Sequence, residues 1–179
     1  MWSQRAPLGP LEAVAWQKGE DVLKDLRWAI DDILARSARP GFPGHHVGQD
    51  TVDTWLADVK AMGVESILCL LSDRQLRYYQ VLPAGLLDYY RQHGFVVQHI
   101  PIEDPAENPR RGYDQIEANA WAICQAFDRL PKPVLVHCSA GLDRTGYAIR
   151  FIETHLAGND PLPAARHGED DDEDEEDWE

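Results

Sequence analysis

The stretch that decides the fold is VLVHCSAGLDRTG, residues 134–146. Its first three residues are apolar and mostly β-branched, and Pro131 and Pro133 stand just before them, which is typical of a central strand. The rest of the stretch holds a thiol and a guanidinium, separated by five positions, in a loop that leads into a helix. Gly141 and Gly146 give the backbone of this loop the freedom to turn tightly.

Residues 138–144, called the signature loop below, have the composition of an anion site. A loop that enters a helix N-terminus turns successive backbone N–H groups inward, and the helix dipole adds positive potential. This field favours the thiolate form of Cys138, a candidate nucleophile. Arg144 adds a planar fork for two anionic oxygens, and Thr145 is placed to donate its hydroxyl toward the sulfur. An inert cysteine beside a surface arginine would explain neither the glycines nor the strand–loop–helix order.

The pattern His-Cys-x5-Arg-Thr-Gly over residues 137–146 resembles the signature of the cysteine-dependent protein tyrosine and dual-specificity phosphatases. The resemblance implies an α/β fold with a central, mainly parallel sheet flanked by helices, and a phosphate site at the carboxyl end of a strand. It implies hydrolysis of phosphate monoesters through a phosphocysteine intermediate, with no cofactor and no metal. The residues it assigns are Cys138 and Arg144 in catalysis, Ser139, Ala140, Gly141, Leu142, Asp143 and Arg144 in phosphate binding, and His137 and Thr145 in support.

A second catalytic group is expected upstream of the cysteine. The family uses an aspartic acid about thirty residues before the nucleophile to protonate the leaving oxygen, and the segment from Ile100 to Pro105 stands at that place. We take Asp104 as the general acid, and then as the base for the hydrolytic water. Glu103 is the rival, and two solvated loop carboxylates without a role are the alternative.

The resemblance extends from about residue 50 to residue 155. Residues 73–104 are similar to the cyclin-dependent kinase-associated phosphatases, a branch of the dual-specificity family. Three features depart from the family pattern. The chain turns polar and acidic after the signature helix, Asp143 places an acid inside the anion loop, and no Trp precedes the acid as in receptor-like tyrosine phosphatases. A direct catalytic role for Asp143 is not expected.

Composition limits the partners. The chain has 179 residues and a formal net charge of −14, and residues 169–179 contribute ten acidic residues and no basic one. This balance argues against nucleic acid and against a stable association with anionic membranes. Three cysteines and no signal-peptide pattern predict a cytoplasmic protein. The acidic end is predicted to be a solubilising tail; a ligand for a basic partner and an autoinhibitory phosphate mimic are the alternatives.

The periodicity predicts one domain with terminal extensions. Residues 1–9 are expected to be irregular, residues 10–156 to form a phosphatase-like domain, and residues 157–179 to be a disordered acidic tail. Within the domain we expect a helix over residues 10–36 that packs on the core, and one long helix from Gly112 to Leu130. Asp50 and Thr51 are expected to cap a helix that ends at Met62.

The substrate is less determined than the reaction. Phosphotyrosine, phosphoserine or phosphothreonine in a protein is the main expectation, and a phosphoinositide or another small phosphate ester is the alternative. The signature loop has no Lys, which disfavours polyphosphorylated inositol, but four arginines flank the site in sequence: Arg74, Arg77, Arg110 and Arg111. An inactive phosphate-binding module is the alternative of another class.

The two other cysteines need separate predictions. Cys69 lies in a predicted strand beside the signature strand, so a reversible disulfide with Cys138 is conceivable, although a buried structural cysteine is the simpler interpretation. Cys124 is expected in the core. His45 and His46 are expected to be loop residues, because neighbouring side chains rarely converge on one ion without further ligands.

Overall fold

The computed structural model describes residues 26–162. This part of the chain is a three-layer α/β/α arrangement around one five-stranded sheet. The strands are β1 (Arg27–Ile30), β2 (Leu34–Ser37), β3 (Ser66–Cys69), β4 (Val96–His99) and β5 (Val134–His137). The helices are α1 (Gln49–Ala61), α2 (Asp73–Leu76), α3 (Gly85–Gln92), α4 (Pro109–Ala118), α5 (Ala120–Arg129) and α6 (Asp143–Leu156), and a 3₁₀ turn covers Arg77–Tyr79.

The sheet is mainly parallel, as the sequence predicts. Its strand order is β1-β2-β5-β3-β4, and only the β1–β2 pair is antiparallel. The strand that precedes the signature loop, β5, is therefore central, with β2 on one side and β3 on the other. Strands β3 and β5 are buried along their whole length, which explains why both appear in the sequence as continuous apolar runs rather than alternating ones.

Two hydrophobic clusters fill the spaces on either face of the sheet. On one face, side chains of α4, α5 and α6 such as Ile116, Ile123 and Ile149 pack against Val134 and Val136. On the other face, α1, the 3₁₀ turn and α3 cover the sheet, and Leu135 packs there among their buried side chains. Alternate residues of β5 thus belong to different layers, as the period of two in a strand requires.

The predicted helix over residues 10–36 is wrong in its second half. Residues 1–25 lie outside the described part, but residues 27–37 form the β1–β2 hairpin at the edge of the sheet. Asp32 stands in the turn with φ 57°, a left-handed conformation that Asp adopts more readily than most residues. A spacing of four between apolar residues fits one face of a strand as well as one face of a helix, so the apolar spacing did not distinguish the two.

Two smaller differences concern helix ends. The predicted long helix from Gly112 to Leu130 is two helices, α4 and α5, which meet at Asn119. The side-chain amide of Asn119 donates to the carbonyl of Gln115 at 2.8 Å, so it competes with the regular helical bonds. Helix α1 starts at Gln49 after Gly48 with no side-chain cap, one residue before the predicted Asp50–Thr51 cap.

Candidate functional site

The signature loop leaves the carboxyl end of β5 and enters α6 at Asp143. Backbone bonds hold its first residues in place: Leu70 N–H donates to His137 at 2.9 Å, and Arg39 N–H donates to Ser139 at 3.0 Å. Gly141 has φ 70°, and a Cβ at this position would lie 2.6 Å from the carbonyl oxygen of Ser37. Only glycine therefore allows the loop to lie this close to the end of β2.

Cys138, the candidate nucleophile, lies where the strand ends and the loop begins. Its side chain is 2% exposed and belongs to the same face of the sheet as Val134 and Val136. The loop that follows it turns into the first turn of α6, a helix of 14 residues. The thiol is therefore close to a helix N-terminus, where backbone N–H groups and the helix dipole favour negative charge.

Arg144 is buried, with 1% of its surface exposed, and its guanidinium is extensively hydrogen-bonded. Its Nη1 donates to the carbonyls of Leu70 (3.2 Å) and Ile102 (2.9 Å) and to Oε1 of Gln75 (2.9 Å). Its Nη2 donates to Oδ2 of Asp104 at 2.6 Å. These contacts do not use Nε–H or the second N–H of Nη2, which are the donors of a side-on fork for an oxyanion.

Asp104, the predicted general acid, is the ion-pair partner of Arg144 in this structure. Its side chain is 15% exposed. Besides the arginine, Oδ2 accepts from Nε2 of Gln75 at 2.8 Å, and Oδ1 accepts from the Ala106 N–H at 3.1 Å. The two residues predicted to bind phosphate and to move a proton are thus in direct contact, although they are 40 positions apart in sequence.

Glu103 differs from Asp104 in its contacts. Its backbone N–H donates to Oε1 of Gln115 on α4 at 2.7 Å, which anchors the loop. Within residues 26–162, no hydrogen bond or ion pair joins its carboxylate to the signature loop or to Arg144. Of the two rival acids, Asp104 is the one that the fold brings to the arginine.

His137 lies on the opposite face of the sheet from Cys138. Its ring contacts the rings of Trp55 and Tyr90 edge-on, and its Nδ1 and Nε2 lie 3.2 Å from the carbonyl of Cys138 and 3.4 Å from the Tyr90 hydroxyl. Burial lowers the pKa of His137 to about 4, so the imidazole is neutral at physiological pH. This environment suits a residue that supports the loop from behind.

The other predicted loop residues occupy contrasting surroundings. Thr145 is completely buried, and its hydroxyl has no hydrogen-bond partner among the described residues, Cys138 included. Asp143 is exposed in the first turn of α6, where a carboxylate interacts favourably with the helix dipole. Leu142 is 53% exposed. The structure thus places Asp143 on the solvent side of the loop, away from the buried Arg144.

Cys69 and Cys138 project to opposite faces of the sheet. Cys69 is in register with His137 on the neighbouring strand and packs in the cluster beneath α1 and α3. Both thiols are free, and burial raises the pKa of Cys69 to about 12. This position favours the structural interpretation of Cys69 over a disulfide with the candidate nucleophile. Cys124 is buried in the core, as predicted.

Three polar residues at the site were not predicted from the sequence. Arg36 on β2 donates through Nη2 to the carbonyl of Gly141, and its Nε is buried without a partner in the described part of the chain. Arg39, 2% exposed, donates to the Ser139 hydroxyl at 3.1 Å. Gln75 contacts both Arg144 and Asp104. Arg36 lies at the end of the predicted helix over residues 10–36, and Arg39 lies just after it. The sequence therefore did not predict that either arginine is close to the signature loop.

The four flanking arginines lie on the surface rather than in the buried site. Arg74 forms an ion pair with Glu107 at 3.0 Å. Within residues 26–162, no group of three or more His, Cys, Asp or Glu side chains has the arrangement of a metal site. The same residues include no helix that is both long and apolar enough for a membrane span.

Residues 45–156 match the family of DSP-PTPase phosphatases of polymorphic toxin systems. The chain belongs to this family. The matched region runs from the loop before α1 to the end of α6, so it includes Cys138, Arg144, Asp104 and Gln75 but not the β1–β2 hairpin. The protein is accordingly a phosphatase of the DSP/PTPase-like type.

One solved structure with a similar fold supports the architecture. It is a candidate phosphatase of the DUF442 group from Shewanella putrefaciens CN-32, with a TM-score of 0.50 and 21% sequence identity. The similarity covers 76% of this chain and 75% of the other. At this identity the likeness concerns the fold alone. No curated protein matches the sequence.

Proposed function

We propose that this DSP-PTPase family member hydrolyses phosphate monoesters through a phosphocysteine intermediate on Cys138. The observation that carries the proposal is the direct contact between Arg144 and Asp104, at 2.6 Å, beside the loop that begins with Cys138. An anion-binding cation, a proton carrier and a nucleophile then share one site. A buried cysteine without function would require none of these neighbours.

In the first step, the Cys138 thiolate attacks phosphorus and the bond from phosphorus to the ester oxygen breaks. Asp104 in its acid form gives its proton to the departing oxygen, and the S–P bond is formed. The backbone N–H groups of the signature loop and the free fork of Arg144 bind the equatorial oxygens, where negative charge accumulates in the transition state. The ion pair between Arg144 and Asp104 is lost when Asp104 takes up the proton that it delivers, because a neutral carboxyl group no longer pairs with the guanidinium.

In the second step, water attacks the phosphocysteine. Asp104, now a carboxylate, accepts a proton from the water, the S–P bond breaks, and inorganic phosphate and the Cys138 thiolate are released. Asp104 thus returns to its acid form for the next cycle. His137 and Arg39 support the loop from behind and from the side, through the Cys138 carbonyl and Ser139.

The proposed substrates are phosphorylated tyrosine, serine or threonine residues of proteins. The resemblance of residues 73–104 to the cyclin-dependent kinase-associated phosphatases supports a dual-specificity enzyme. A phosphoinositide or small phosphate ester is the second candidate, for which the exposed arginines that flank the site residues in sequence, Arg77, Arg110 and Arg111, would be the additional cations. A panel of phosphotyrosyl and phosphothreonyl peptides and inositol phosphates, compared by kcat/KM, separates these classes.

The nucleophile is tested by Cys138→Ser. We expect this variant to lose hydrolysis of p-nitrophenyl phosphate by a factor of at least 10³, because the serine hydroxyl is a far weaker nucleophile at neutral pH. Acid quenching of the wild-type enzyme with ³²P-labelled substrate should trap a labelled protein, and the variant should not be labelled. Cys124→Ser is the matched control and should keep its activity. Substantial turnover by Cys138→Ser would refute the assignment, and an inactive wild type would favour a binding module.

The general acid is tested by Asp104→Ala. A proton is needed most when the leaving group is a poor one, so the loss for phenyl phosphate should be about 10²- to 10⁴-fold, and much smaller for p-nitrophenyl phosphate. Glu103→Ala is the control and should slow both esters little. An equal loss for both esters in Asp104→Ala would move the proton-transfer role to another residue, with Glu103 examined next.

A further inference from the structure

Gln75 connects the two charged groups of the site. Its Oε1 accepts from Nη1 of Arg144 at 2.9 Å, and its Nε2 donates to Oδ2 of Asp104 at 2.8 Å. The side chain is buried, with 1% of its surface exposed. One amide therefore bonds simultaneously to a cation and to an anion. A neutral side chain with an acceptor at one end and a donor at the other is well suited to that position.

The orientation of this amide is determined by its neighbours. Oε1 also faces the backbone N–H of Ser72 at 3.4 Å, so it has two donors beside it, whereas Nε2 faces a carboxylate oxygen. A flipped amide would place N–H groups against a guanidinium and against another N–H, and an oxygen against an oxygen. The donor end must therefore point at Asp104.

The backbone of Gln75 is held by a capping box. Ser72 is the N-cap of α2, and its hydroxyl accepts from the Gln75 N–H at 3.4 Å. In such a motif the Gln side chain normally serves the N-cap N–H alone. Here its bond to Arg144 is the shorter one, at 2.9 Å against 3.4 Å. The capping box thus holds the backbone of Gln75, while the shorter hydrogen bonds of its side chain are those to Arg144 and Asp104.

We propose that Gln75 is a positioning residue that keeps Asp104 at the site when its ion pair with Arg144 is lost. The inference rests on the function proposed above. Protonation of Asp104 removes its ion pair with Arg144, and the carboxyl group then retains two bonds, from Gln75 Nε2 and from the Ala106 N–H. Without Gln75, only the Ala106 N–H would hold the carboxyl group. It could then rotate away from the leaving oxygen.

Two substitutions separate the two ends of the amide. Gln75→Met has a similar size and removes both bonds. Gln75→Glu keeps an acceptor for Arg144 but loses the donor and places a carboxylate against Asp104, which is unfavourable. If holding Asp104 is the function of Gln75, both variants should be impaired in proton transfer. If holding Arg144 were its only function, Gln75→Glu should behave like the wild type.

The experiment measures kcat and KM for phenyl phosphate and p-nitrophenyl phosphate. We expect both variants to lose roughly 10- to 100-fold in kcat for phenyl phosphate, because a misplaced catalytic group costs rates of this order. The loss for p-nitrophenyl phosphate should be at least fivefold smaller, and KM should change little. Gln92→Met, on the exposed side of α3, is the matched control and should match the wild type for both esters.

The decisive comparison uses Asp104→Ala as background. If Gln75 acts through Asp104, adding Gln75→Met to Asp104→Ala should cause no further loss for phenyl phosphate. A full additional loss in the double variant, an equal loss for both esters in Gln75→Met, or wild-type kinetics of Gln75→Glu would overturn the proposal. Failure of the proposed function itself is distinguishable, because then Cys138→Ser stays active or Asp104→Ala fails to discriminate between the esters.

Discussion

At the scale of single residues, His137 and Cys138 show how a strand places neighbouring side chains on opposite faces of the sheet. The residue adjoins Cys138 in sequence, yet its ring lies in the opposite layer, between Trp55 and Tyr90. Because successive side chains of a strand point to opposite faces, the position before the nucleophile cannot also reach the substrate side. Its neutral ring instead contacts the carbonyl of Cys138, on the face of the sheet opposite to the thiol.

The burial of His137 predicts a specific pH dependence of stability. Its pKa is about 4 in the folded protein and about 6.5 in the unfolded chain. The unfolded state therefore binds more protons below pH 6.5, and the free energy of unfolding should fall as the pH drops from 6.5 to 4. For this one group the loss between pH 7 and pH 5 is roughly 2 kcal/mol.

The measurement is urea unfolding of wild type and His137→Gln at both pH values. The variant is expected to be less stable at pH 7, because a buried contact is altered, but its stability should depend less on pH by about the same roughly 2 kcal/mol. His46→Gln, at an exposed position, should reproduce the wild-type dependence. A His137→Gln protein with an unchanged pH slope would contradict the buried neutral imidazole.

At the scale of elements, the position of Asp104 depends on how its loop packs on α4. A Cβ on Gly112 would lie 2.8 Å from the backbone N and Cα of Pro105, the residue after Asp104. The loop after β4 and helix α4 are thus in direct backbone contact, with no room for a side chain at Gly112. Asn108 caps α4 at the end of the same loop, with its Oδ1 accepting from the Arg111 N–H at 3.3 Å. The general-acid loop and α4 therefore form one packed unit.

Gly112→Ala should displace this loop and impair proton transfer. Alanine normally stabilises a helix relative to glycine by about 1 kcal/mol, but here the clash should outweigh that gain and cost about 1–3 kcal/mol of stability. Phenyl phosphate should be affected roughly tenfold more than p-nitrophenyl phosphate. Gly146→Ala is the comparison for stability, since a Cβ there meets nothing within 4 Å. Equal stability of the two variants would show that the Gly112 contact can relax.

The elements also show what the sequence can predict. Strand β5 and the start of a helix after the signature loop were predictable, because a β-branched apolar run followed by a loop with two glycines leaves few alternatives. The β1–β2 hairpin was not, because the spacing of four between Leu26 and Ile30 fits one face of a strand as well as one face of a helix, and Ile33 lies in the turn. The contact of Gln75 with Arg144 and Asp104 was hidden for another reason. The Ser-x-x-Gln pattern indicates a local cap, and only the fold reveals the long-range partners of the same side chain.

At the scale of the whole molecule, charge is concentrated at one end of the chain. The ten acidic residues of 169–179 account for most of the net charge of −14. The prediction of a disordered tail from residue 157 is corrected for residues 157–162, which the structure describes directly after α6 and of which Leu162 packs against the hydrophobic cluster of α4, α5 and α6. Residues 169–179 lie outside the described part, which ends at residue 162. A proposal for the tail therefore has to come from composition. Eleven residues without a basic side chain are expected to act chiefly on solubility.

Deletion of residues 169–179 tests this expectation against autoinhibition. If the tail only solubilises the protein, KM for p-nitrophenyl phosphate should stay within about twofold at physiological ionic strength, since surface charges are largely screened there beyond a Debye length of about 8 Å. A phosphate mimic that occupied the site would instead compete with substrate, so its removal should lower KM several-fold. Titration with sodium chloride in the full-length chain is the control, because salt would weaken the same competition.

Arg144 has a consequence that reaches beyond catalysis. Arg144 lies in the first turn of α6, which follows β5. Its guanidinium donates to the carbonyl of Leu70, one residue after β3, and to the carbonyl of Ile102, three residues after β4. The Arg144 side chain thus connects the segments that follow three parallel strands. It can form all of these hydrogen bonds only when the three strands are assembled. If Arg144 binds phosphate as proposed, partial unfolding that frees any one of these strands is expected to abolish activity together with the contacts of Arg144.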